Sequence, residues 1–112
     1  MFGAFSDAEL VGVAGLRIGE GRKEAHKGLL WGVFVRPRSR KTGLGRRLVE
    51  TIIDFARTRV ELIQLAVVSE NEQARRLYAG LGFVEYGFEQ KALKQDDRYY
   101  DEVLMAKDLK AD

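Results

Sequence analysis

Residues 29–48 read LLWGVFVRPRSRKTGLGRRL, and this stretch decides the fold because it passes from one kind of secondary structure to another. The large apolar and β-branched residues at 29–35 predict a buried strand. Pro37, the single proline of the chain, then ends the strand, because proline cannot donate to a sheet ladder and restricts the residue before it. Apolar residues next recur at helical spacing, at Leu44, Leu48, Ile52 and Phe55. The predicted order is strand, basic loop, helix.

The loop at residues 40–45 is a predicted anion site. Its backbone N–H groups lie at the positive end of the helix dipole. Gly43 and Gly45 place no side chain where a phosphate would approach, and positive φ at either would let neighbouring N–H groups converge. A P-loop needs Lys-Ser/Thr where Arg46 and Arg47 stand, and a dinucleotide fingerprint needs a third glycine where Leu48 stands. A pyrophosphate-binding loop of another kind remains, with a solvated basic surface as the alternative.

Composition limits the other possibilities. A chain of 112 residues, 46% hydrophobic and 32% charged, predicts one globular domain. It has no cysteine, which excludes disulfides and thiolate zinc sites, and the single His26 cannot anchor a metal cluster. The net charge of +2 is too small to imply nucleic-acid binding by itself. Without an apolar run of about 18 residues or a secretory signal, we expect a cytoplasmic protein.

The remaining patterns complete the predicted fold. Short apolar or alternating runs predict strands at 1–5, 9–18, 62–68, 83–94 and 99–109. The first helix is predicted over 43–59, and a second helix begins at a Ser69–Glu72 capping box and ends at Gly82. The element order ββ-β-α-β-α-ββ predicts a mixed sheet with helices on its faces.

Two motifs resemble the signatures of the GNAT superfamily of N-acetyltransferases. Arg40-x-x-Gly43-x-Gly45 after an apolar strand resembles its pyrophosphate-binding loop. Asn71-x-x-Ala74-x-x-Leu77-Tyr78-x-x-x-Gly82-Phe83 resembles its second signature. The resemblance covers residues 1–109 and implies an α/β (α+β) fold with a mixed, mostly antiparallel twisted sheet and two main helices. Family members normally begin with a further strand and two helices, so residues 1–112 resemble a single, N-terminally truncated domain.

The resemblance also implies a function and its residues. The chain would transfer an acetyl group from acetyl-CoA to a primary amine of an unidentified small-molecule or peptide acceptor, by direct attack in a ternary complex. Tyr78 would be the general acid for the leaving thiolate, and Asn71 would hold the pantetheine amides. The residues implied in cofactor binding are Val33, Phe34, Val35, Arg40, Lys41, Thr42, Gly43, Leu44, Gly45, Arg46 and Asn71. No metal is implied.

Other interpretations stay open for these residues. Tyr78 would serve core packing and Asn71 would serve as a helix cap, and Trp31 is most simply a core residue. The general base is unassigned, with water, His26, Glu102 or a group on the absent segment as candidates.

Alternatives also exist for the whole chain. It could be a CoA-binding regulatory module without turnover, whereas nucleic-acid binding is disfavoured because aromatic residues do not alternate with the basic ones. The strand at 1–5 would be a sheet edge without lysine or proline, so we expect a homodimer.

Overall fold

The computed structural model describes residues 2–6, 9–35 and 43–110. Within these residues the elements follow the predicted order ββ-β-α-β-α-ββ. They are β1 Phe2–Ser6, β2 Glu9–Ile18, β3 Lys27–Val35, α1 Leu44–Ala56, β4 Leu62–Val68, α2 Glu72–Gly80, β5 Val84–Gln95 and β6 Arg98–Asp108. The predicted bounds of β2 and β4 are confirmed, and most other predicted bounds differ by one or two residues.

The strands form one six-stranded sheet in the order β1-β2-β3-β4-β6-β5. Among the described strands only β3 and β4 pair in parallel, because α1 carries the chain across the sheet between them. The other neighbouring strands pair antiparallel. The predicted mixed, mostly antiparallel sheet is therefore confirmed.

The core lies on one face of the sheet. α1 buries residues at helical spacing, namely Leu48, Val49, Ile52, Ile53 and Ala56. Four of them, Val49, Ile52, Ile53 and Ala56, form one cluster with residues of β4 and β6, namely Ile63, Leu65, Val67, Val103 and Met105. Burying each large side chain contributes about 1.5–3 kcal/mol before the entropic cost of ordering it. The prediction that α1 reaches residue 59 was wrong, because the helix ends at Ala56 and the chain turns there.

The opposite face of the sheet is open in the described part of the chain. Ala66, on the central strand β4, is exposed, and Leu29 and Trp31 of β3 are 41% and 47% exposed. The prediction of a buried strand at 29–35 was therefore wrong for Leu29 and Trp31, and so was the assignment of Trp31 to the core. Trp31 points to the face without helices, and its ring lies across Gly15, where a Cβ would overlap it.

At two turns the local sequence determines the backbone conformation. Gly82, just beyond the end of α2, terminates the helix as predicted, with φ +97°. Phe83 N donates to Tyr78 O at 3.0 Å, and Gly82 N donates to Ala79 O at 3.1 Å. This is a Schellman motif, which glycine accommodates without strain. The turn between β5 and β6 is Asp96 and Asp97, both at positive φ, which suits the twist of a two-residue hairpin.

Candidate active site

Two strand-to-helix junctions lie side by side at one edge of the sheet. β3 leads towards α1, and β4 leads into α2. Because β3 and β4 are parallel neighbours, their carboxyl ends point to the same edge and both helices begin there. The residues that the two motifs single out therefore lie near this edge.

A wedge opens between β3 and β4 towards this edge. The two strands pair only at Lys27 with Leu62, Gly28 with Ile63 and Leu29 with Gln64. Beyond these pairs each strand continues with no ladder between them in the described residues, and β4 pairs with β6 instead. The side of β3 that faces β4 consequently presents backbone N–H and C=O groups to the wedge.

A bulge in β3 lies at the same place. Gly15 pairs with Trp31 and Val13 pairs with Phe34, so Gly32 and Val33 together oppose the single residue Ala14. Gly32 has φ +62°, which favours glycine, and a bulge of this kind redirects the backbone that follows. The sequence interpretation missed Gly32, although a lone glycine inside a strand pattern is the usual signal of a bulge.

The predicted backbone donors lie directly after the bulge. Phe34 and Val35 pair with Val13 and Gly12 of β2, which occupies one side of this segment. The other side of residues 33–35 faces the wedge and has no ladder partner within the described chain. Donors free on that side are available to a ligand, as the prediction for Val33, Phe34 and Val35 requires.

The first turn of α1 is open. Gly43 is the N-cap residue with φ +83°, and its carbonyl oxygen accepts from Arg47 N at 3.0 Å. Among the described residues no side chain caps this turn, and the turn contains no acidic residue. The N–H groups of Leu44, Gly45 and Arg46 lack partners inside the helix, so this end attracts an anion.

Basic side chains surround this open turn. A Cβ built on Gly43 would lie 3.6 Å from Arg47 Nη1, so the Arg47 guanidinium lies beside the turn. Arg46 is half exposed, with Nε 3.6 Å from Glu50 Oε2. The predicted ligands Arg40, Lys41 and Thr42 lie outside the described residues, so their role stays a prediction.

The first turn of α2 is closed by its own residues. Asn71 is the N-cap, and its Oδ1 accepts from Ala74 N at 3.1 Å. The predicted Ser69–Glu72 capping box was wrong, because Ser69 N donates to Asp101 O at 2.9 Å and Glu72 pairs with Arg76 at 3.2 Å. Asn71 therefore does cap a helix, and its predicted contact with pantetheine remains to be tested.

Tyr78 is the buried tyrosine of α2, and it is 7% exposed. Its ring packs edge-on against Phe83, with 5.8 Å between centroids. Within the described residues the Tyr78 Oη makes no hydrogen bond. Burial raises the pKa of Tyr78 above its usual value because it disfavours the phenolate. At neutral pH Tyr78 therefore carries a proton that it can donate.

The candidate bases lie at different ends of the sheet. His26 directly precedes β3, so it is about 20 Å from Val33 along a strand that rises about 3.3 Å per residue. That distance removes His26 as a base at the wedge. Glu102 is partly buried and pairs with Val68 at the carboxyl end of β4, which is the correct edge.

Neither a metal site nor a membrane-spanning helix is present among the described residues. They contain no group of three or more His, Cys, Asp or Glu side chains that could hold a metal ion. None of the helices in this part of the chain is long and apolar enough to cross a membrane.

The chain is similar to known acetyltransferases. The profile of the Acetyltransferase (GNAT) family matches residues 1–83. Over 90 residues the chain is 36% identical to the N-alpha-acetyltransferase RimI of Mycobacterium tuberculosis, covering 80% of this chain and 54% of the relative. The chain therefore spans about half the length of that curated relative.

Solved structures share the fold. The ribosomal-protein-S18-alanine N-acetyltransferase of Escherichia coli superposes with a TM-score of 0.83 at 26% identity, covering 94% of this chain and 65% of that one. The acetyltransferase yncA of Salmonella typhimurium, solved with acetyl-CoA, has a TM-score of 0.83 at 24% identity over 92% of this chain and 60% of that one. The similarity to yncA shows a shared fold and nothing more.

Proposed function

Because this chain belongs to the GNAT acetyltransferase family, we propose that it transfers the acetyl group of acetyl-CoA to a primary amine. The observation that carries the proposal is the wedge between β3 and β4, which opens between a helix end free for an anion and a helix that carries a proton donor. The acceptor amine would meet the thioester inside this wedge.

The open turn of α1 fits the diphosphate of CoA. The N–H groups of Leu44, Gly45 and Arg46 and the Arg47 guanidinium offer several donors and positive charge at one place. Gly43 keeps the approach clear, because its positive φ and missing side chain leave the backbone accessible. Arg40, Lys41 and Thr42 would complete this loop.

The backbone after the bulge fits the pantetheine arm and the thioester carbonyl. N–H and C=O groups of residues 33–35 that face the wedge would bind the amides of the arm, as a neighbouring strand would. One such N–H placed on the carbonyl oxygen stabilises the negative charge that develops there by about 2.7–4 kcal/mol. Asn71 would contribute its side-chain amide to the arm.

Acetyl-CoA supplies an acyl carbon activated by its bond to sulfur. The chain would orient a neutral amine so that its nitrogen bonds to that carbon while the carbon–sulfur bond breaks. Tyr78 would give its hydroxyl proton to the departing sulfur and later regain one from the acceptor nitrogen through solvent. The raised pKa of Tyr78 keeps that proton in place until it is needed.

The names of two relatives favour one class of acceptor. One relative is an N-alpha-acetyltransferase, and another acetylates an alanine of a ribosomal protein. We propose that the acceptor is the α-amine of a protein N-terminus. A peptide with a free N-terminal alanine should be a better substrate than the same peptide with a blocked N-terminus and a free lysine.

Release of CoA from acetyl-CoA, measured with this peptide pair and small amines, tests the proposal. Release that depends on the free N-terminus is expected. If the chain binds acetyl-CoA tightly but forms no free CoA with any amine, the alternative is supported, namely a CoA-binding regulatory module. Failure to bind acetyl-CoA would exclude both functions.

A homodimer is part of the proposal. β1 is an edge strand of the sheet, and Leu29 and Trp31 leave the open face partly apolar. Such surfaces favour association with a second copy. Sedimentation across concentrations should show a dimer, and a monomer at high micromolar protein would contradict this part. The cytoplasmic location stays a prediction.

A further inference from the structure

The tip of the β5–β6 hairpin is joined to the loop that carries Asn71. Arg98, directly after the hairpin turn, donates from Nη2 to Glu70 Oε2 at 2.6 Å, although the two are 28 positions apart in the sequence. The Arg98 guanidinium also lies 4.6 Å from the centroid of the Tyr100 ring, which restrains it on the other side. Glu70 immediately precedes the helix cap Asn71, so this ion pair acts next to a predicted ligand of the cofactor.

The hairpin is bent so that its tip reaches this loop. Between the pairs Glu89–Glu102 and Leu93–Tyr100, β5 has three residues where β6 has one. Lys91, in this bulge, has φ +51°, and its N–H donates to Asp101 Oδ1 at 2.9 Å. The carbonyl oxygen of the same Asp101 accepts from Ser69 N at 2.9 Å. One residue therefore holds both the bend and the loop.

A second arginine holds the loop from the other side. Arg75 donates from Nη1 to Ser69 O at 3.0 Å and from Nη2 to Glu85 Oε1 at 2.7 Å. The loop at 69–71 is thus connected to β5 through Arg75 and to the hairpin tip through Arg98. Capping of α2 requires only the Asn71 side chain and Ala74 N, so these added contacts are not needed to start the helix.

We propose that the Glu70–Arg98 pair positions Asn71 for the pantetheine arm of CoA, so that Glu70 and Arg98 are positioning residues for cofactor binding. The proposal rests on the proposed function, because it assumes that acetyl-CoA occupies the wedge. The mechanism is local: the pair fixes the hairpin tip against the loop, which limits the positions that the Asn71 amide can adopt. Neither side chain needs to touch the cofactor.

The experiment compares a ligand that contains the pantetheine arm with one that contains only the nucleotide part of CoA. Calorimetry on this chain would measure the dissociation constants of acetyl-CoA and of 3′-phospho-ADP, which lacks the arm. Glu70→Gln should raise the acetyl-CoA constant about two- to fivefold, the scale of an exposed ion pair, and leave the 3′-phospho-ADP constant unchanged. The reversed pair, Glu70→Arg with Arg98→Glu, should recover affinity relative to either reversal alone.

The chain contains a matched control pair. Glu72 and Arg76 are 3.2 Å apart and exposed, and both lie on α2, so their pair joins no second element. Glu72→Gln should leave both dissociation constants unchanged. The proposal is overturned if Glu70→Gln matches this control, or if it weakens both ligands equally, as a general loosening would. A wild-type chain that binds neither ligand would instead refute the proposed function, and this inference with it.

Discussion

The N-termini of α1 and α2 have the same place in the fold and opposite local chemistry. Each helix follows one strand of the parallel pair β3–β4. α1 begins at Gly43, where no side chain of the described residues caps the helix and the first turn contains no acidic residue. α2 begins with Asn71 bonded to Ala74 N and with Glu72 in its first turn. The positive N-terminal end of α2 is therefore capped and neutralised by side chains of its own first turn. The corresponding end of α1 is available to an anion.

This difference indicates which helix serves which part of the proposed reaction. An anion would have to displace Asn71 and approach Glu72 at α2, but at α1 it meets Arg47 and N–H groups without a capping side chain among the described residues. α2 contributes through its body, where Tyr78 has a buried side chain that carries the proposed proton donor. The following predictions test this division, beginning with the largest expected effect.

Tyr78→Phe should reduce turnover by about 10²–10⁴-fold, because the variant loses the proton donor. The packing against Phe83 should survive, so stability and acetyl-CoA affinity should change little. Steady-state rates under conditions where chemistry limits turnover provide the measurement. Tyr86→Phe, at a tyrosine that is 55% exposed on β5, is the control. Equal rates for both variants would assign Tyr78 to the core alone.

Gly43→Glu should raise the dissociation constant of acetyl-CoA by about 100-fold, because like charges brought together cost several kcal/mol. Gly43→Gln introduces a side chain of similar size at the same positive φ without the charge. The difference between these variants in calorimetry measures the electrostatic part of the effect. Unchanged binding in a folded Gly43→Glu protein would show that α1 is not the anion site.

Asn71→Ala should lower the free energy of unfolding by about 0.5–2 kcal/mol, because Ala74 N loses its partner. Asn71→Ser should recover most of this stability, since serine also caps helices, but it lacks the amide proposed for pantetheine. Urea unfolding and calorimetry on both variants separate the two roles. Recovery of acetyl-CoA affinity in Asn71→Ser would mean that Asn71 acts only as a cap.

The raised pKa of Tyr78 predicts a small pH effect. A folded-state pKa above the unfolded value of about 10 means that the native chain binds this proton more tightly. The resulting stability is present below pH 10 and is lost as the pH rises through the folded pKa. Between pH 8 and pH 11 the free energy of unfolding should therefore fall less steeply for Tyr78→Phe than for the wild type. If the free energies of unfolding of both proteins change with pH in the same way, the pKa of Tyr78 is not raised.

Much of the site could be predicted from sequence because its signals are local. Gly43, Asn71 and Gly82 each determine the backbone within one turn of themselves, and the structure has them at helix ends. The failed expectation for Ser69 has a tertiary cause. The backbone N–H of Ser69 donates to the carbonyl oxygen of Asp101, which lies on β6 and is distant in sequence.

Sequence alone determined the element order and the two strand-to-helix junctions, because hydrophobic period and helix termini are properties of neighbouring residues. Only the tertiary structure decided where β3 and β4 separate, how the hairpin tip meets Glu70, and which face of the sheet is open. Trp31 shows the reason. An apolar residue in a strand has equal local preference for either face, and burial depends on whether another layer covers that face.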